Sequence, residues 1–453
     1  MTPEIPAAYL EDASGFRGAA DRLFLPASEE ELAEVLREAS RTGTAVSVAG
    51  AGTGLTGGRT PQGGWVVSLE RFRRLEVHSA HAIAGAGVSL RDLQAAAQAQ
   101  GRFFPPDPTE TLASLGGVVA CNASGSRSFR YGAARRWIRR LRVAMASGEV
   151  REFSRGEAID FDVAAIPLPR SRKHSAGYPL APGMDWIQLF AGSEGTLGVF
   201  TEIEVDLLSA PNELFAGVIF FGREQDALAA VDAWREVSGL RMLEYMDAAS
   251  LALLKPRFDR VPEGAAAALL VEQEAGEEEI DAWLDRIEAQ QAEAEGSWFA
   301  ASARDRERFR EFRHALPEAV NELVRRNGRQ KLGSDYAVPV EGNGEMLAIY
   351  RSALERDFPG RYVIFGHIGD AHLHVNILPE SEDDEARGRA LMLEFARQSV
   401  RLGGTVSAEH GLGKRKAHLL AVQYAPEHIA AMKAVKQRLD PAWILSPGNL
   451  FPK

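Results

Sequence analysis

A glycine-rich segment near the N-terminus is the feature that most constrains how this chain can fold. Residues 50–58 follow a predicted strand, 45–49, and contain the spacing G-x-G-x-x-G. In a Rossmann fold such a loop opens a helix whose N-terminus holds a pyrophosphate. Here residues 59–64 contain a proline and two glycines and lead into a second predicted strand, 65–69. The sequence therefore argues against NAD bound on a Rossmann fold.

The same loop is still suited to an anion. Glycine lets consecutive backbone N–H groups approach a phosphate, and the hydroxyl groups of Thr53 and Thr56 add donors. Two further stretches rich in small residues, 105–125 and 192–198, follow in the same half of the chain. Each stretch alone is compatible with a plain turn, but together they could line one long ligand.

Composition excludes several classes of protein. Of the 453 residues, 45% are hydrophobic and 25% charged, which is ordinary for a globular protein and unlike a collagen, a disordered tail or a disulfide scaffold. A formal net charge of -11 disfavours nucleic-acid binding. Because Cys121 is the only cysteine, an internal disulfide, a cysteine-only zinc site and a cysteine-ligated iron–sulfur cluster are excluded.

Membrane and export signals are not predicted. No stretch approaches about 18 consecutive apolar residues, the length of a membrane-spanning helix. Residues 1–25 lack a basic segment followed by an apolar run, so no signal peptide is expected. We therefore expect a cytoplasmic protein, with peripheral attachment to the inner membrane as the alternative.

Helix and strand signals predict an α+β fold divided near residue 210. Before this point, Ser28 and Ser89 are predicted to cap helices that alternate with short strands. After it the predicted strands are longer. The later strands are predicted at 214–221, 240–245 and 266–272, and the later helices at 224–237 and 277–292.

Taken in order, the glycine-rich stretches resemble the FAD-binding domain of the vanillyl-alcohol-oxidase-type flavoproteins, and the motif GSEGTLG at 192–198 is the most specific match in this half of the chain. Within that family the chain is similar to the branch of D-lactate dehydrogenase, glycolate oxidase and D-2-hydroxyglutarate dehydrogenase. The resemblance implies that the first stretch holds the FAD pyrophosphate and that the others flank the flavin. It implies FAD contacts at Gly50, Gly52, Thr53, Gly54, Leu55, Thr56, Gly57, Pro106, Asp107, Ser114, Gly116, Gly117, Asn122, Ser124, Gly125, Gly192, Glu194, Gly195, Gly198, Val199 and Asn449.

The resemblance also implies a two-part FAD-binding domain, residues 1–209 and 411–453, around an α+β substrate domain with an antiparallel sheet, residues 210–410. We expect the FAD to be non-covalent, because the first glycine loop contains no histidine and Cys121 is the only thiol.

Histidines and a glutamate are concentrated in the second half of the chain. Residues 366–376 read GHIGDAHLHVN, and residues 407–413 read SAEHGLG. Strand periodicity puts His372, His374 and Asn376 on one face. Imidazoles with a carboxylate suit a divalent metal that keeps positions open for substrate. From these residues alone, a structural metal site and a polar, hydrogen-bonded strand remain alternatives.

The family pattern assigns roles to these residues. It implies metal ligands at His367, His374 and Glu409, with zinc or manganese as the expected ion. It also implies that His410 is the catalytic base and that Asn376 helps to bind substrate.

Other positions match the family less closely. Arg313, in the segment 309–317, matches the arginine that binds the substrate carboxylate in this family. A planar guanidinium suits that role because it can form two parallel hydrogen bonds with a carboxylate. The alternative is an arginine on the surface of a charged helix. His372 replaces the family's usual asparagine, and we interpret it as a pocket residue and not a ligand. Residues 446–449 read SPGN where the family commonly has NPGK, and His174 lies in a segment near the flavin.

These features predict FAD- and divalent-metal-dependent oxidation of a 2-hydroxy acid, such as D-lactate, glycolate or D-2-hydroxyglutarate, to the 2-oxo acid by hydride transfer to flavin. An external electron acceptor is expected: a quinone, an electron-transfer protein or an iron–sulfur partner. A homodimer is left open. The alternatives are the FAD-bearing catalytic subunit of a glycolate- or lactate-oxidising complex, and a non-redox metal enzyme in which the glycine loops are only structural.

Overall fold

The computed structural model describes residues 4–274, 277–300 and 302–452, without the side chains of 277–280. The first three residues of the predicted N-terminal domain and the last residue of the predicted C-terminal segment lie outside the described residues. Within the described ranges, no helix is long and apolar enough to cross a membrane.

Strands and helices are distributed over the whole described chain. The strands are β1 (Arg22–Phe24), β2 (Val46–Ala49), β3 (Trp65–Ser68), β4 (Leu75–Val77), β5 (His81–Gly85), β6 (Arg102–Phe103), β7 (Ile138–Ala144), β8 (Val150–Ser154), β9 (Val199–Asp206), β10 (Leu208–Ser209), β11 (Leu214–Phe221), β12 (Leu240–Asp247), β13 (Ala267–Glu274), β14 (Trp298–Phe299), β15 (Leu332–Gly333), β16 (Tyr362–His367) and β17 (His372–Ile377). The helices are α1 (Glu29–Thr42), α2 (Leu90–Gln98), α3 (Leu115–Ala120), α4 (Ser128–Tyr131), α5 (Trp186–Phe190), α6 (Glu224–Trp234), α7 (Ala248–Leu254), α8 (Glu277–Ala289), α9 (Ala303–Arg326), α10 (Asn343–Asp357), α11 (Glu382–Arg401), α12 (Leu420–Gln423) and α13 (Pro426–Leu439).

Two larger sheets form the N-terminal part of the chain, beside an antiparallel pair of the short strands β6 and β10. One is parallel, with the order β1-β3-β2, and the other is antiparallel, with the order β4-β5-β9-β7-β8. The predicted helix caps are present: Ser28 Oγ accepts the N–H of Glu31 at 3.3 Å, and Ser89 Oγ accepts that of Asp92 at 3.1 Å. The apolar faces of α1 and α2 pack into one core with both sheets.

A seven-stranded sheet occupies the middle of the chain. Its order is β14-β11-β13-β12-β16-β17-β15, and every neighbouring pair is antiparallel, which confirms the predicted antiparallel sheet. β16 and β17 form a hairpin in which His367 pairs with His372 and Phe365 with His374. Register thus places two of the predicted metal ligands, His367 and His374, on adjacent strands.

Helices cover both faces of this sheet. Val218 and Phe220 of β11 pack in a core with α7 and α9, whereas Ile219 and Phe221 face α6 and α8. Because side chains alternate along a strand, one apolar strand serves both layers. This arrangement holds α9, which carries Arg313, against the sheet that carries the histidines.

The end of the chain returns to the first glycine loop. The N–H of Val46 donates to the carbonyl of Ile444 and the N–H of Ser446 donates to the carbonyl of Val46, both at 2.7 Å. Asn449 Nδ2 donates to the carbonyl of Gly58 at 2.9 Å. The domain limits stay predictions: 1–209, 210–410 and 411–453.

Element ends differ from the sequence-based ranges by a few residues. The helix predicted at 224–237 ends at Trp234, because the chain turns through Gly239, whose φ is +78°, into β12. Such a turn depends on a left-handed backbone conformation, which the spacing of apolar residues in the sequence does not predict.

Candidate functional site

The three glycine-rich stretches form the walls of one cavity in the N-terminal part of the chain. Its lining comes from the loop after β2, from α3 and the residues around it, and from the loop before β9. The predicted FAD-binding residues that line it are Gly50, Gly52, Thr53, Gly54, Leu55, Thr56, Ser114, Gly116, Gly117, Ser124, Gly125, Glu194, Gly195, Gly198 and Asn449.

The remaining predicted FAD-binding residues are not part of that lining: Gly57, Pro106, Asp107, Asn122, Gly192 and Val199. Some of them hold the loops in shape. The carboxylate of Asp107 lies 3.6 Å from Arg127 and accepts a hydrogen bond from Ser126 at 3.1 Å. Asn122 Oδ1 accepts the N–H of Arg135 at 2.9 Å.

A left-handed backbone favours glycine at two positions of the cavity wall, and close packing against backbone requires it at one of them, Gly125. Gly125 has a φ of +92°, and a Cβ there would lie 1.9 Å from the carbonyl oxygen of Asp107. Gly52 has a φ of +84°, and a Cβ there would lie 2.6 Å from the guanidinium carbon of Arg59. Any other residue at Gly125 would displace backbone, so the wall cannot keep its shape without this glycine.

Sequence reasoning missed several residues of the wall. Asp12 and Arg59 both line the cavity, and Arg59 Nη1 donates to the carbonyl of Gly50 at 2.6 Å. Asp12 is buried, and its Oδ2 has no hydrogen-bond partner among the described residues. Cys121 also lines the cavity, and burial raises the pKa of its thiol to about 12. Asp12 and Arg59 lie outside the three glycine-rich stretches, which is why the motifs did not reveal them, whereas Cys121 lies inside the second stretch, 105–125.

The three predicted metal ligands meet beside the cavity. Glu409 Oε1 lies 3.0 Å from His367 Nε2 and 3.5 Å from His374 Nε2. With His372, these residues offer one ligand atom each within 4.8 Å of one another. Glu409 and His410 also line the glycine-walled cavity, so the cluster and the cavity share a wall.

The second oxygen of Glu409 is held by three donors. Oε2 accepts hydrogen bonds from Ser124 Oγ at 2.6 Å and from the N–H of Gly125 at 3.0 Å, and Lys173 Nζ lies 3.1 Å away. Burial raises the pKa of Glu409, but the charges of Lys173 and His367 outweigh it and hold this pKa well below its usual value. The donors on Oε2 leave Oε1 facing the histidines. Sequence reasoning missed Lys173.

Asp335 anchors the loop that carries Glu409 and His410. Its Oδ2 accepts hydrogen bonds from Ser407 Oγ at 2.7 Å, from the N–H of His410 at 2.9 Å, and from the two backbone N–H groups between them at 3.2 and 3.3 Å. Its Oδ1 lies 3.5 Å from His410 Nδ1 and 3.1 Å from Nε2 of the fully buried His372. Burial lowers the pKa of His410 to about 4, although Asp335 acts in the opposite direction.

Arg313 is connected to the histidines through Glu244. Arg313 Nε and Nη2 each lie 2.7 Å from Glu244 Oε2, and Arg313 Nη1 donates to Oγ1 of Thr109, a residue of the cavity wall, at 2.9 Å. Glu244 Oε1 lies 2.5 Å from His367 Nδ1. Burial raises the pKa of Glu244, but Arg313 and His367 outweigh it and hold this pKa at about 2.

Two other residues singled out from the sequence lie outside this cluster of contacts. Asn376 is buried on the same strand face as His374, and in the described part of the chain no side-chain hydrogen bond joins it to the cluster. His174 Nδ1 lies 2.9 Å from Thr405 Oγ1, and its Nε2 lies 2.8 Å from the hydroxyl of Tyr424. Burial lowers the pKa of His174 to about 3, and the residue does not line the cavity.

The donor set at this cluster fits a divalent cation. Imidazole nitrogens and one carboxylate oxygen converge, which is a ligand set that zinc accepts and manganese tolerates. Ligands of this kind are normally held by a second partner, and here Glu244 contacts His367 and the carbonyl of Ser334 lies 3.2 Å from His374 Nδ1.

The fold and the cavity define the class of protein. The family model for FAD linked oxidases, C-terminal domain, matches residues 211–450, and that for the FAD binding domain matches residues 20–154. The chain belongs to this family of FAD-linked oxidases and is an FAD-dependent oxidoreductase, as the glycine-rich stretches predicted.

Similar proteins of the family come from the predicted branch. The chain is 28% identical over 452 residues to the glycolate oxidase subunit GlcD of Bacillus subtilis, with 96% of this chain and 89% of the relative covered. It is 30% identical to the D-lactate dehydrogenase of Archaeoglobus fulgidus (94% and 90% covered) and 31% identical to the D-2-hydroxyglutarate dehydrogenase of Xanthomonas citri pv. viticola (94% and 88% covered). A solved structure of alkyldihydroxyacetonephosphate synthase has the same fold, with a TM-score of 0.67 at 16% identity over 94% of this chain and 76% of that one.

Proposed function

We propose that the protein oxidises a D-2-hydroxy acid to the 2-oxo acid, using non-covalent FAD and a divalent cation held by His367, His374 and Glu409. The observation that carries the proposal is the shared wall: Glu409 and His410 line the same cavity as the glycine-rich stretches. A substrate held at the histidines would therefore lie beside a flavin held by the glycines. The names of the similar proteins, a glycolate oxidase subunit and two dehydrogenases of D-hydroxy acids, agree with this substrate class.

The residues divide the chemistry between them. Bound FAD supplies a hydride acceptor, and a bound divalent cation supplies Lewis acidity. His410 accepts the proton of the substrate hydroxyl; it lies in the cavity wall, and its Nδ1 faces Asp335. Arg313 binds the substrate carboxylate from the side of Thr109, and Asn376 contributes a polar amide on the strand face of His374.

A second form of this function is the catalytic subunit of a larger complex. With Cys121 as the only cysteine, this chain cannot ligate an iron–sulfur cluster through cysteines, so the electrons of the reduced flavin must pass to an external acceptor. The relative named a glycolate oxidase subunit favours a partner protein in a complex, and the acceptors expected from the sequence are an iron–sulfur partner, a quinone or an electron-transfer protein. Membership of the FAD-linked oxidases argues against the non-redox alternative. A homodimer and a cytoplasmic or peripheral location stay predictions.

The test is anaerobic reduction of the protein's own flavin. Protein loaded with FAD and with Zn²⁺ or Mn²⁺ is mixed with D-lactate, L-lactate, glycolate or D-2-hydroxyglutarate, and loss of flavin absorbance is followed. We expect rapid bleaching by a D-2-hydroxy acid, and slow bleaching after a chelator has removed the cation. Bleaching that is independent of metal, or that no 2-hydroxy acid produces, contradicts the proposal. Co-purification of an iron–sulfur protein would favour the subunit of a complex.

A further inference from the structure

Glu244 lies between two groups that the proposed reaction uses. It belongs to β12, the strand beside β16, and only 2% of its surface is exposed. Its two carboxylate oxygens have different partners: Oε1 lies 2.5 Å from His367 Nδ1, and Oε2 lies 2.7 Å from both Nε and Nη2 of Arg313. A buried carboxylate is tolerated only with such partners, so both contacts are part of the folded state.

The contact with Glu244 keeps a proton on one nitrogen of His367. A carboxylate only accepts hydrogen bonds, so Nδ1 carries an N–H toward Glu244 Oε1. Nε2 faces a second carboxylate oxygen, Glu409 Oε1, at 3.0 Å, and a divalent cation bound between them would displace any proton on Nε2 and take its lone pair. This is the tautomer and the orientation that a metal-binding histidine needs, and a carboxylate behind the ring also makes the nitrogen a stronger ligand.

The contact with Arg313 orients the guanidinium. Arginine has about five N–H donors in one plane. Glu244 takes the donor on Nε and one on Nη2, and Thr109 takes one on Nη1. One N–H on each Nη atom is left over, which is the number of donors that a carboxylate binds through two bonds. Glu244 thus occupies the Nε side of the Arg313 guanidinium and leaves donors on the Nη atoms for a substrate carboxylate.

We infer that Glu244 is a positioning residue that joins the metal site to the substrate-carboxylate site, by holding His367 as a ligand and Arg313 as a clamp. The inference rests on the proposed function. It assigns a role to a strand residue that no sequence motif marked, and it makes the two halves of the substrate site depend on one side chain.

The sheet offers a matched control. Glu272 on the neighbouring strand β13 is also a buried glutamate in ion pairs with arginine, with Oε1 2.9 Å from Arg127 Nε and 3.3 Å from Arg241 Nη1. It contacts no histidine among the described residues. Glu272→Gln therefore removes the same charge from the same sheet and leaves the metal ligands alone.

The experiment measures metal affinity directly. Zn²⁺ and Mn²⁺ dissociation constants are determined for the FAD-loaded proteins by competition with a chromophoric chelator, and flavin content is measured alongside. Glu244→Gln should weaken metal binding by roughly 10- to 100-fold, as expected when the partner of a metal-binding histidine is lost. Glu272→Gln should bind metal like the wild type. Arg313→Met should bind metal at least as tightly as the wild type, because Glu244 keeps its contact with His367 and its charge.

A second readout concerns the substrate. Glu244→Gln and Arg313→Met should both raise the KM for the hydroxy acid at saturating metal, whereas Glu272→Gln should not. Unchanged metal affinity in Glu244→Gln, or an equal loss in Glu272→Gln, overturns the inference. If Glu244→Gln does not fold, Glu244→Asp is compared in its place: its shorter carboxylate should also weaken metal binding, and wild-type affinity there overturns the inference. A wild type that binds no metal at all contradicts the proposed function instead.

Discussion

The cofactor cavity and the histidine cluster share a wall but are built in opposite ways. The cavity wall consists largely of glycine and other small residues, so that backbone comes close to any ligand. The cluster consists of largely buried ionisable side chains, held by partners from distant parts of the chain. Glu409 is held by Lys173, and His367 by Glu244.

This difference predicts which kind of substitution disrupts each region. A wall of backbone fails when a side chain appears where none fits, whatever its chemistry. A cluster of charges fails when one partner is removed, because the group left behind is buried and unsatisfied. Substitutions should therefore affect cofactor content in the cavity, and metal content, turnover or stability in the cluster.

The largest effect is expected at His410. Removing a general base lowers turnover by roughly 100- to 10,000-fold. His410→Ala should show this loss in steady-state assays with a dye acceptor, with near-normal flavin and metal content, because its side chain is not among the proposed ligands.

Its sequence neighbour is the matched comparison. Glu409→Ala removes the proposed carboxylate ligand and should lose bound metal, as measured by elemental analysis, with activity partly restored by excess Zn²⁺ or Mn²⁺. Metal lost from His410→Ala and retained in Glu409→Ala would reverse the roles assigned to these residues.

The next effect is expected in the cavity, at Gly54. A Cβ at this position would lie 3.6 Å from Asp12 Oδ2, so an aspartate would bring a second negative charge to the loop proposed to hold the pyrophosphate. The new carboxylate and a pyrophosphate charge roughly 5 Å away would repel each other by about 3 kcal/mol at an effective dielectric constant of about 20. Gly54→Asp should therefore weaken FAD binding by about 100-fold, measured by flavin fluorescence.

Gly344→Asp is the control for this substitution. Gly344 lies at the start of α10, where an added Cβ meets nothing within 4 Å and an acidic residue suits the helix N-terminus. Its FAD affinity should match that of the wild type. Full flavin content in Gly54→Asp would contradict the assignment of the loop.

The cavity could be anticipated from the sequence because its physical requirement is local. Close approach of backbone to a ligand requires glycine at particular positions, and glycine is visible as a letter in the sequence. The strand that follows residues 59–64 already excluded a Rossmann helix, and β3 at Trp65–Ser68 confirms that exclusion. Asp12 and Arg59 were not predicted as cavity residues, because they lie outside the glycine-rich stretches.

The partners in the cluster could not be anticipated in the same way. Glu244 lies 123 residues before His367, and Lys173 lies 236 residues before Glu409. The contact of Glu244 with His367 depends on the sheet order β12-β16-β17. The contact of Lys173 with Glu409 depends on how the loop between β8 and α5 packs against residues 407–410. One signal was available: charged residues among the apolar residues of a strand, as Arg241, Glu244 and Asp247 are in LRMLEYMD, are costly to bury unless they are paired.

A smaller effect, on stability, is expected at Asp335. Asp335→Asn removes the charge from an oxygen that accepts four hydrogen bonds from residues 407–410. Hydrogen bonds to a buried charge contribute about 2–3 kcal/mol, so the free energy of unfolding should fall by about this amount. Ser407→Ala removes only one donor and should cost about 1 kcal/mol. Urea denaturation of both variants checks this order, and equal losses would show that Asp335 is not the anchor.

A further effect, which appears only as a dependence on pH, concerns Glu194, which holds the same loop from the cavity side. Its oxygens accept the N–H groups of Leu412 at 2.7 Å and Gly413 at 2.6 Å. Burial raises the pKa of Glu194 to about 7, although these N–H groups and Lys414 act in the opposite direction.

The sign of the pH effect follows from that pKa. The unfolded chain releases the Glu194 proton near its ordinary pKa of 4.5, whereas the folded protein retains it up to about 7. The stability that this group contributes is therefore complete below the unfolded value and is lost as pH rises through the folded one. Between about pH 5 and about pH 7 the wild type should lose up to about 1.4 kcal/mol per pH unit relative to Glu194→Gln, which cannot titrate. Urea denaturation of both FAD-saturated proteins at the two pH values measures the difference, and parallel stability curves would show that Glu194 is already ionised when buried.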